Sequence, residues 1–469
     1  MVARKLNSMI SSHPTLSRGK GITGTSTFQN HHRPLLVILD RSSDLSTPIQ
    51  HSSTYQALID DLLIHNANRI EFTVQPKENT DQNGRPSRRN RKPPAQQKKY
   101  DLDADNDPFY STYKFSPFPE AIESNGLELQ DVSDREAQVR SKTSNTPSDL
   151  NDIHNANNNT QPSDLASAVD SLPVLLERKK QLEVHTSILQ AVMNQVAERD
   201  VPLFYELENA LATGTYKSDL STAKTKVTNL IKDPTKGDVN DKLRLLMIYC
   251  LNTTATASDI DEMLLDIKQA MMDKAGNEGI SVDVKQKLEN GFKALTYLKR
   301  LRSMQKISTD VNTTELVSSS SSSNADMLSS FMARAQTQAT GLLAKATEKV
   351  STMFGKTHKF YATRVVENLC EMKPNTEDDT FLYLDPKMTK GDVNVSQLNR
   401  GMRGQVKEVM LFMVGGGCYA EYQNLQMVST SLGGANGGGD ILNGSRIVSY
   451  GCTELVNPED FMSQLAELG

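Results

Sequence analysis

The amino-acid sequence predicts an α/β fold in which a Rossmann-like domain with a parallel sheet is interrupted by a large, mostly helical insertion. Two observations support this prediction. Apolar runs typical of buried parallel strands lie near both ends of the chain, at 35–39 and 408–414. Between them, from about residue 119 to residue 372, apolar residues recur at helical spacing and strand patterns are almost absent.

Composition places the chain among ordinary multidomain globular proteins. Its 469 residues exceed the size at which a single core usually stops growing, and 37% of them are hydrophobic. The formal net charge of -5 gives no overall reason to expect nucleic acid as a partner. The four cysteines lack CxxC spacing, so we expect neither a zinc site nor a disulfide framework. This cysteine pattern fits a reducing, cytoplasmic compartment. No apolar run has the length of a membrane span, so we expect a soluble protein or one held at a membrane by partners.

The first part of the α/β domain is predicted to span residues 1–118. After the strand at 35–39, Ser53 and Gln56 predict a capping box at the start of a helix. Alternating apolar residues in "RIEFTV" (69–74) predict the next strand, so the three elements form a predicted β-α-β unit. The basic run at 80–100 predicts a disordered loop.

The helical insertion is predicted at 119–372 and the second part of the α/β domain at 373–469. Inside the insertion, Leu175, Leu182 and Leu189 recur at intervals of seven residues in a predicted long helix. Near the C-terminus, "EVMLFMV" (408–414) predicts a strand that leads into a helix, and "RIVSYG" predicts another. Asn457 is predicted to cap the last helix, with Pro458 at its first position.

Two features are candidates for a catalytic or nucleotide-binding site. Asp40 and Asp44 flank Arg41 after the first strand, so the carboxylates could form an acid/base pair, although we favour a role in fixing the loop. Gly415–Gly417 follow a strand where backbone N–H groups could cradle phosphate, but the GxGxxG spacing is absent. A nucleotide-dependent α/β enzyme using this glycine loop is therefore the alternative function. We assign no catalytic, cofactor-binding or metal-binding residue.

A third candidate is the segment 328–354, which carries a broad apolar stripe with basic residues among its polar positions. Such a helix could lie on a membrane surface or act as a mobile lid, and an ordinary core helix is the alternative. The candidate contact residues are Leu328, Phe331, Met332, Leu342, Leu343 and Val350.

Several stretches, in chain order, resemble the SM (Sec/Munc-type) family of SNARE regulators. They include "RPLLVILDRSSDLSTPIQHSSTYQALIDDLL", "DKLRLLMIYCL" and "VMLFMVGGGCYAEYQNL". The Sly branch, which acts in transport between the endoplasmic reticulum and the Golgi, is the most similar branch. The likeness runs from about Arg33 to the C-terminus. It implies that the chain begins inside the second domain of the family, without the N-terminal domain that carries the groove for the syntaxin N-terminal peptide.

The resemblance implies a non-enzymatic protein without cofactors that binds syntaxin-type Q-SNAREs and vesicle R-SNAREs. It would be cytoplasmic and peripherally associated with endoplasmic reticulum, Golgi and vesicle membranes, without nucleic acid or small-molecule substrate. A helical hairpin at 119–212 would receive SNARE helices and template their assembly, and a loop at 310–359 would act as a lid. Pro173 would be the hinge of the second arm. The implied SNARE-binding face comprises Leu182, His185, Ile188, Leu189 and Val192, and the alternative for about half of them is the core.

Overall fold

The computed structural model of the protein describes residues 1–13, 34–74, 96–144, 162–276, 279–304, 358–371, 376–384, 406, 408–431 and 447–469. The helices in these ranges are α1 (Val2–Ser12), α2 (Tyr55–Leu62), α3 (Pro108–Tyr113), α4 (Phe118–Ser144), α5 (Pro162–Arg199), α6 (Val201–Ala212), α7 (Leu220–Lys232), α8 (Val239–Asn252), α9 (Ala257–Ala275), α10 (Val282–Ser303), α11 (Tyr361–Glu371), α12 (Tyr419–Ser431) and α13 (Pro458–Glu467). The strands are β1 (Leu35–Asp40), β2 (Ile64–Asn66), β3 (Arg69–Val74), β4 (Gln96–Asp101), β5 (Glu408–Val414) and β6 (Ile447–Cys452).

A parallel sheet joins the two ends of the chain. Its strand order is β1-β5-β6, with Leu35 opposite Val409 and Val409 opposite Val448. One face of the sheet is buried with α11 and α12 in a common core, to which Leu39 and Leu411 belong. The predicted fold class is therefore confirmed, because strands from either side of a long helical segment lie next to each other.

The predicted β-α-β unit is wrong. β3 pairs antiparallel with β2 and β4 in a second sheet, and it does not join β1. The chain leaves α2 into the short strand β2 and then reverses at Ala67, whose φ is +54°. The predicted disordered loop at 80–100 is also wrong at its end, since 96–101 form β4. Residues 75–95 lie outside the described residues.

The predicted capping box at Ser53 and Gln56 is wrong as well. The N-cap of α2 is Thr54, which makes no side-chain cap bond. The backbone N–H groups of Tyr55 and Gln56 instead donate to carbonyls of residues 116 and 114, at 3.1 and 3.0 Å. The chain before α4 thus satisfies the first donors of α2, and Ser53 Oγ is free to donate to Tyr205 Oη at 3.3 Å.

The main helical core surrounds α8, in which every residue from Val239 to Leu251 is buried. Helices α6, α7, α9 and α10 contribute to the same core. The C-terminal helix α13 also enters it through Phe461, Met462 and Leu465, and its N-cap is Asn457, as predicted. The helical part and the end of the α/β part therefore share a core, and the boundaries at 118/119 and 372/373 remain predictions.

Candidate functional site: the helical hairpin

The candidate site is the hairpin of α4 and α5. The two helices run antiparallel, because Asn125 Nδ2 donates to the carbonyl of Leu182 at 3.1 Å while Arg178, one turn earlier, pairs with Glu128. Lys179 Nζ lies 2.7 Å from Glu136 Oε2. Two charged pairs thus connect α4 with the stretch of α5 at residues 178 and 179, and the hairpin expected from the sequence is present.

The predicted SNARE-binding face lies inside the protein. Leu182, Ile188 and Val192 are 0% exposed and Leu189 is 5% exposed. They belong to a core shared with residues of α2, β3, α3 and α4. In this structure these side chains contact the rest of the chain and are not available to a partner helix.

His185, the fifth residue of that face, is fixed by two hydrogen bonds. Its Nδ1 is 2.8 Å from Tyr55 Oη, and its Nε2 is 2.7 Å from Asp107 Oδ2. Burial raises the pKa of the Asp107 carboxyl, but the interactions with His185, the backbone N–H of Tyr110 and the Arg178 charge together outweigh burial, and the pKa falls below its usual value. Both ring nitrogens are therefore engaged, which leaves no polar atom of His185 for a partner.

The exposed apolar surface of the hairpin lies nearer the start of α5. Val174 is 69% exposed and Leu176 is 39% exposed, while Leu127 on α4 is 44% exposed. Pro173, the predicted hinge, lies inside α5, which begins at Pro162. A proline inside a helix removes one backbone hydrogen bond, and α5 is weakened at this point.

The Arg41 region proves to be scaffolding. The Arg41 side chain is buried and its Nη1 donates to Glu421 Oε2 at 3.0 Å, while its Nε donates to the carbonyl of Asp44 at 2.7 Å. Tyr450 Oη donates to the same Glu421 oxygen at 2.7 Å. The guanidinium thus holds the loop after β1 to helix α12.

The two carboxylates beside Arg41 accept bonds from their own loop. Asp40 Oδ1 accepts from the backbone N–H of Ser42 at 2.9 Å. Asp44 Oδ1 accepts from the backbone N–H groups of Ser46 and Thr47 at 3.0 and 3.1 Å, where the short helical turn Thr47–Ile49 begins. The interpretation that these residues fix the loop is confirmed.

The glycine loop has no free donors for phosphate. Gly415 and Gly416 have φ values of +102° and +97°, and both N–H groups donate to Thr453 Oγ1 at 3.0 and 3.1 Å. The N–H of Gly417 donates to the carbonyl of Glu454 at 2.8 Å. The loop is a tight crossover between β5 and α12, and its N–H groups cannot act as a phosphate cradle in this conformation.

Sequence reasoning singled out the block at 415–425 but missed what its polar residues do. Glu421 holds the loop after β1, and Gln423 Nε2 donates to the carbonyl of Lys114 at 3.3 Å. Asn424 Nδ2 donates to the carbonyl of His358 at 3.0 Å. The sequence did contain a signal for these contacts, because Glu421, Gln423 and Asn424 lie in a largely apolar helix and buried polar groups nearly always have partners.

The other candidate residues lie outside the described part of the chain. These are the six residues of the predicted lid, Leu328, Phe331, Met332, Leu342, Leu343 and Val350. Within the described ranges no helix is long and apolar enough to cross a membrane. In the same ranges no group of three or more His, Cys, Asp or Glu side chains is arranged to hold a metal ion.

Comparison with known proteins gives consistent matches. The model of the Sec1 family matches residues 1–464. The human Sec1 family domain-containing protein 1 is 32% identical over 481 residues, covering 100% of this chain and 66% of the human protein. The structure of Sly1p in complex with an N-terminal peptide of Sed5p matches with a TM-score of 0.62 at 20% identity, covering 100% of this chain and 62% of that one. The SM protein Vps45 in complex with the Qa SNARE Tlg2 gives 0.54 at 16%, with 100% and 64% covered. The chain thus spans slightly less than two thirds of each of these proteins.

Proposed function

We propose, on the premise that this chain belongs to the Sec1 family, that it is a SNARE-binding regulator of vesicle docking and fusion. Its expected setting is transport from the endoplasmic reticulum to the Golgi and within the Golgi. The observation that carries the proposal is a long helical hairpin with exposed apolar side chains, in a chain whose relatives include Sly1p and Vps45. Vps45 has been seen in complex with a Qa SNARE, which supports SNARE helices as partners here.

A SNARE helix could contact the hairpin at its buried face or at its exposed apolar residues. The free energy needed to expose each surface decides between them. Exposing the four buried apolar residues of the predicted face, Leu182, Ile188, Leu189 and Val192, would cost about 6 to 12 kcal/mol at about 1.5 to 3 kcal/mol for each side chain. That is comparable with the whole stability of a typical domain. Val174 and Leu176 are already exposed, so a partner helix can cover them without that cost. We therefore place first contact there.

The buried face would then have a second, conditional role. It would meet a SNARE helix only where α5 separates from α2, α3 and α4, and Pro173 is the point at which the helix backbone resists bending least. The mechanism would be helix-in-groove templating, in which two SNARE helices are held in register before they zipper. The segment 310–359 would cover this surface as a lid.

The same proposal makes the protein a non-enzyme that needs no cofactor. The occupied N–H groups of Gly415, Gly416 and Gly417 support this, because an enzyme that bound nucleotide at this loop would need them for phosphate. We place the protein in the cytoplasm, bound peripherally to endoplasmic reticulum, Golgi and vesicle membranes through its partners. Syntaxin-type Q-SNARE and vesicle R-SNARE helices are the expected partners, with no nucleic acid and no small-molecule substrate.

A binding experiment separates the two functions. The full chain is immobilised and offered purified Golgi syntaxin-type and vesicle SNARE domains, and in a parallel titration it is offered ATP and NAD. We expect SNARE domains to be retained and neither nucleotide to bind saturably. Failure to retain any SNARE domain, together with tight nucleotide binding, would favour the enzyme.

A further inference from the structure

The His185 contact, formed by Tyr55, His185 and Asp107, joins the middle of α5 to α2 and α3. Tyr55 is the first residue of α2, and Asp107 is the N-cap of α3. His185 is 0% exposed, with its Nδ1 2.8 Å from Tyr55 Oη and its Nε2 2.7 Å from Asp107 Oδ2. It is the polar member of the predicted SNARE-binding face, so the contact lies within that face.

The bond between His185 and Asp107 is charge-assisted. Burial raises the pKa of Asp107, but its interactions lower it further, so this carboxylate is charged at neutral pH. A carboxylate only accepts hydrogen bonds, so Nε2 of His185 carries a proton and donates it. Hydrogen bonds to charged groups are roughly twice as strong as neutral ones. Asp107 also attracts the charge of Arg178, which likewise belongs to α5, so the carboxylate holds this helix through two of its residues.

Aromatic rings surround the imidazole of His185. The ring of Phe109 lies 4.8 Å from it, and the rings of Tyr55 and Tyr110 each lie 6.0 Å from it. Tyr55 and Phe109 are 0% exposed. In such surroundings a hydrogen bond is stronger than in water, and a polar group that loses its partner is costly. The His185 contact therefore fixes one position of α5 against α2 and α3.

The His185 contact is directional, whereas the apolar packing around it is not. Because hydrogen bonds are weak beyond about 3.5 Å, a displacement of α5 by roughly 1 Å breaks both bonds of His185. Apolar side chains of the same face, such as Leu182 and Ile188, have no such requirement. Separation of α5 from α2 and α3 therefore requires the loss of the His185 contact.

We propose that the His185 contact is autoinhibitory, since it opposes the separation of α5 from α2 and α3 and so keeps the predicted SNARE-binding face from a partner helix. This inference rests on the proposed function, and specifically on the conditional role of that face. A protein whose binding-competent state is rarely populated has an apparent affinity reduced by the populated fraction. Weakening the contact therefore raises the apparent affinity for a SNARE helix.

Asp107→Asn weakens the contact and keeps the cap of α3, because asparagine caps a helix as well as aspartate does. The matched control is Asp219→Asn at the N-cap of α7. Asp219 Oδ1 accepts from the N–H of Thr222 at 3.1 Å, as Asp107 Oδ1 accepts from the N–H of Tyr110 at 3.1 Å. Calorimetry of the full chain with a syntaxin-type SNARE domain should show about fivefold tighter binding for Asp107→Asn and unchanged binding for Asp219→Asn.

Tyr55→Phe tests the other end of the contact, because it keeps the ring and removes the hydroxyl beside His185 Nδ1. Its control is Tyr216→Phe, which removes a hydroxyl that accepts from Lys226 at the protein surface. SNARE affinity should rise in Tyr55→Phe and stay unchanged in Tyr216→Phe. Hydrogen exchange of the α5 amides at 182–192 should be faster in Asp107→Asn and in Tyr55→Phe than in the original protein. Circular dichroism checks that each variant is folded.

The direction of the affinity change separates an autoinhibitory contact from a purely structural one, which would lower stability without raising SNARE affinity. Unchanged or weaker SNARE binding by the folded Asp107→Asn and Tyr55→Phe proteins would overturn the proposal. Failure of the original protein to bind any SNARE domain would instead contradict the proposed function. Hydrogen exchange then still tests the contact, because equal exchange of α5 in the variants and in the original protein would show that it does not hold α5.

Discussion

Arg41 and Glu421 form a buried ion pair although they lie 380 positions apart in the sequence. Arg41 Nη2 is 2.9 Å from Glu421 Oε1, and the two side chains are 5% and 0% exposed. The pair connects the loop after β1 to helix α12, which follows β5. It therefore fixes the junction between the two ends of the chain that the parallel sheet brings together.

Removing one partner of this pair should destabilise the protein strongly. Glu421→Gln removes the nearer of the two carboxylates that face the buried Arg41 guanidinium and leaves only Asp44, at 3.6 Å. We expect the free energy of unfolding in urea to fall by about 3 to 5 kcal/mol. The control is Arg69→Gln, which breaks an exposed pair with Asp101 and should change stability far less, because solvent screens that pair. Equal small effects in both variants would show that the Arg41 pair does not hold the junction.

Replacing glycine by alanine is expected to destabilise the protein in the β5–α12 crossover and to stabilise it in helix α4. Gly415→Ala places a Cβ at a φ of +102° and 2.9 Å from Arg41 Cβ, so we expect a loss of about 1 to 3 kcal/mol. Gly126→Ala in α4 meets nothing within 4 Å and should gain about 0.5 to 1 kcal/mol, because alanine favours the helix. Thermal and urea unfolding measure both, and a stabilising Gly415→Ala would contradict the strained turn.

His51 should make stability depend on pH. It lies 2.9 Å from Glu208 and 3.1 Å from Asp241. Burial and the Arg244 charge lower its pKa, but the two carboxylates outweigh them and raise it to about 9. Because the unfolded value is about 6.5, the stabilisation is fully present below about pH 6.5 and is lost as the pH rises through about 9. We expect a fall of about 3 kcal/mol in the free energy of unfolding.

The variant His51→Gln isolates this effect. Burial lowers the pKa of Lys242 to about 8, so that residue makes stability rise with pH above about 8 and opposes His51. The difference between the original protein and His51→Gln cancels the contribution of Lys242. Urea unfolding across this pH range should show that difference shrinking as the pH rises, and a constant difference would mean that His51 is not protonated in the folded state.

Alanine substitutions in α5 should distinguish core positions from surface positions. Leu189→Ala leaves a cavity at a side chain that is 5% exposed, and we expect a loss of about 2 to 5 kcal/mol. Val174→Ala, at a side chain that is 69% exposed, should change stability by at most about 0.5 kcal/mol. Urea unfolding gives both values. A small change in the free energy of unfolding for Leu189→Ala would indicate that Leu189 lies on an exposed binding face, as the sequence predicted.

The sequence predicted β1 and β5 correctly because buried parallel strands are continuous apolar runs, a local signal. It also predicted β6, whose apolar residues are mixed with Ser449 and Gly451. β4 reads "QQKKYD", in which four consecutive polar residues resemble a loop, and it is a strand because β3 pairs with it. Periodicity also marked Leu182 and Leu189 as one helix face. Periodicity could not show whether a partner's helix or the chain's own helices α2, α3 and α4 cover this face, because either would pack apolar side chains against it.

SNARE-helix binding to a hairpin variant tests the central claim most directly. Val174→Asp with Leu176→Asp charges the exposed face of α5, and Leu265→Asp with Met272→Asp charges a control face on α9 of matched exposure, 69% and 39% against 66% and 41%. Calorimetry with a syntaxin-type SNARE domain should show at least about tenfold weaker binding for the α5 variant and unchanged binding for the α9 variant. Equal affinity of the α5 variant and the original protein would contradict the account.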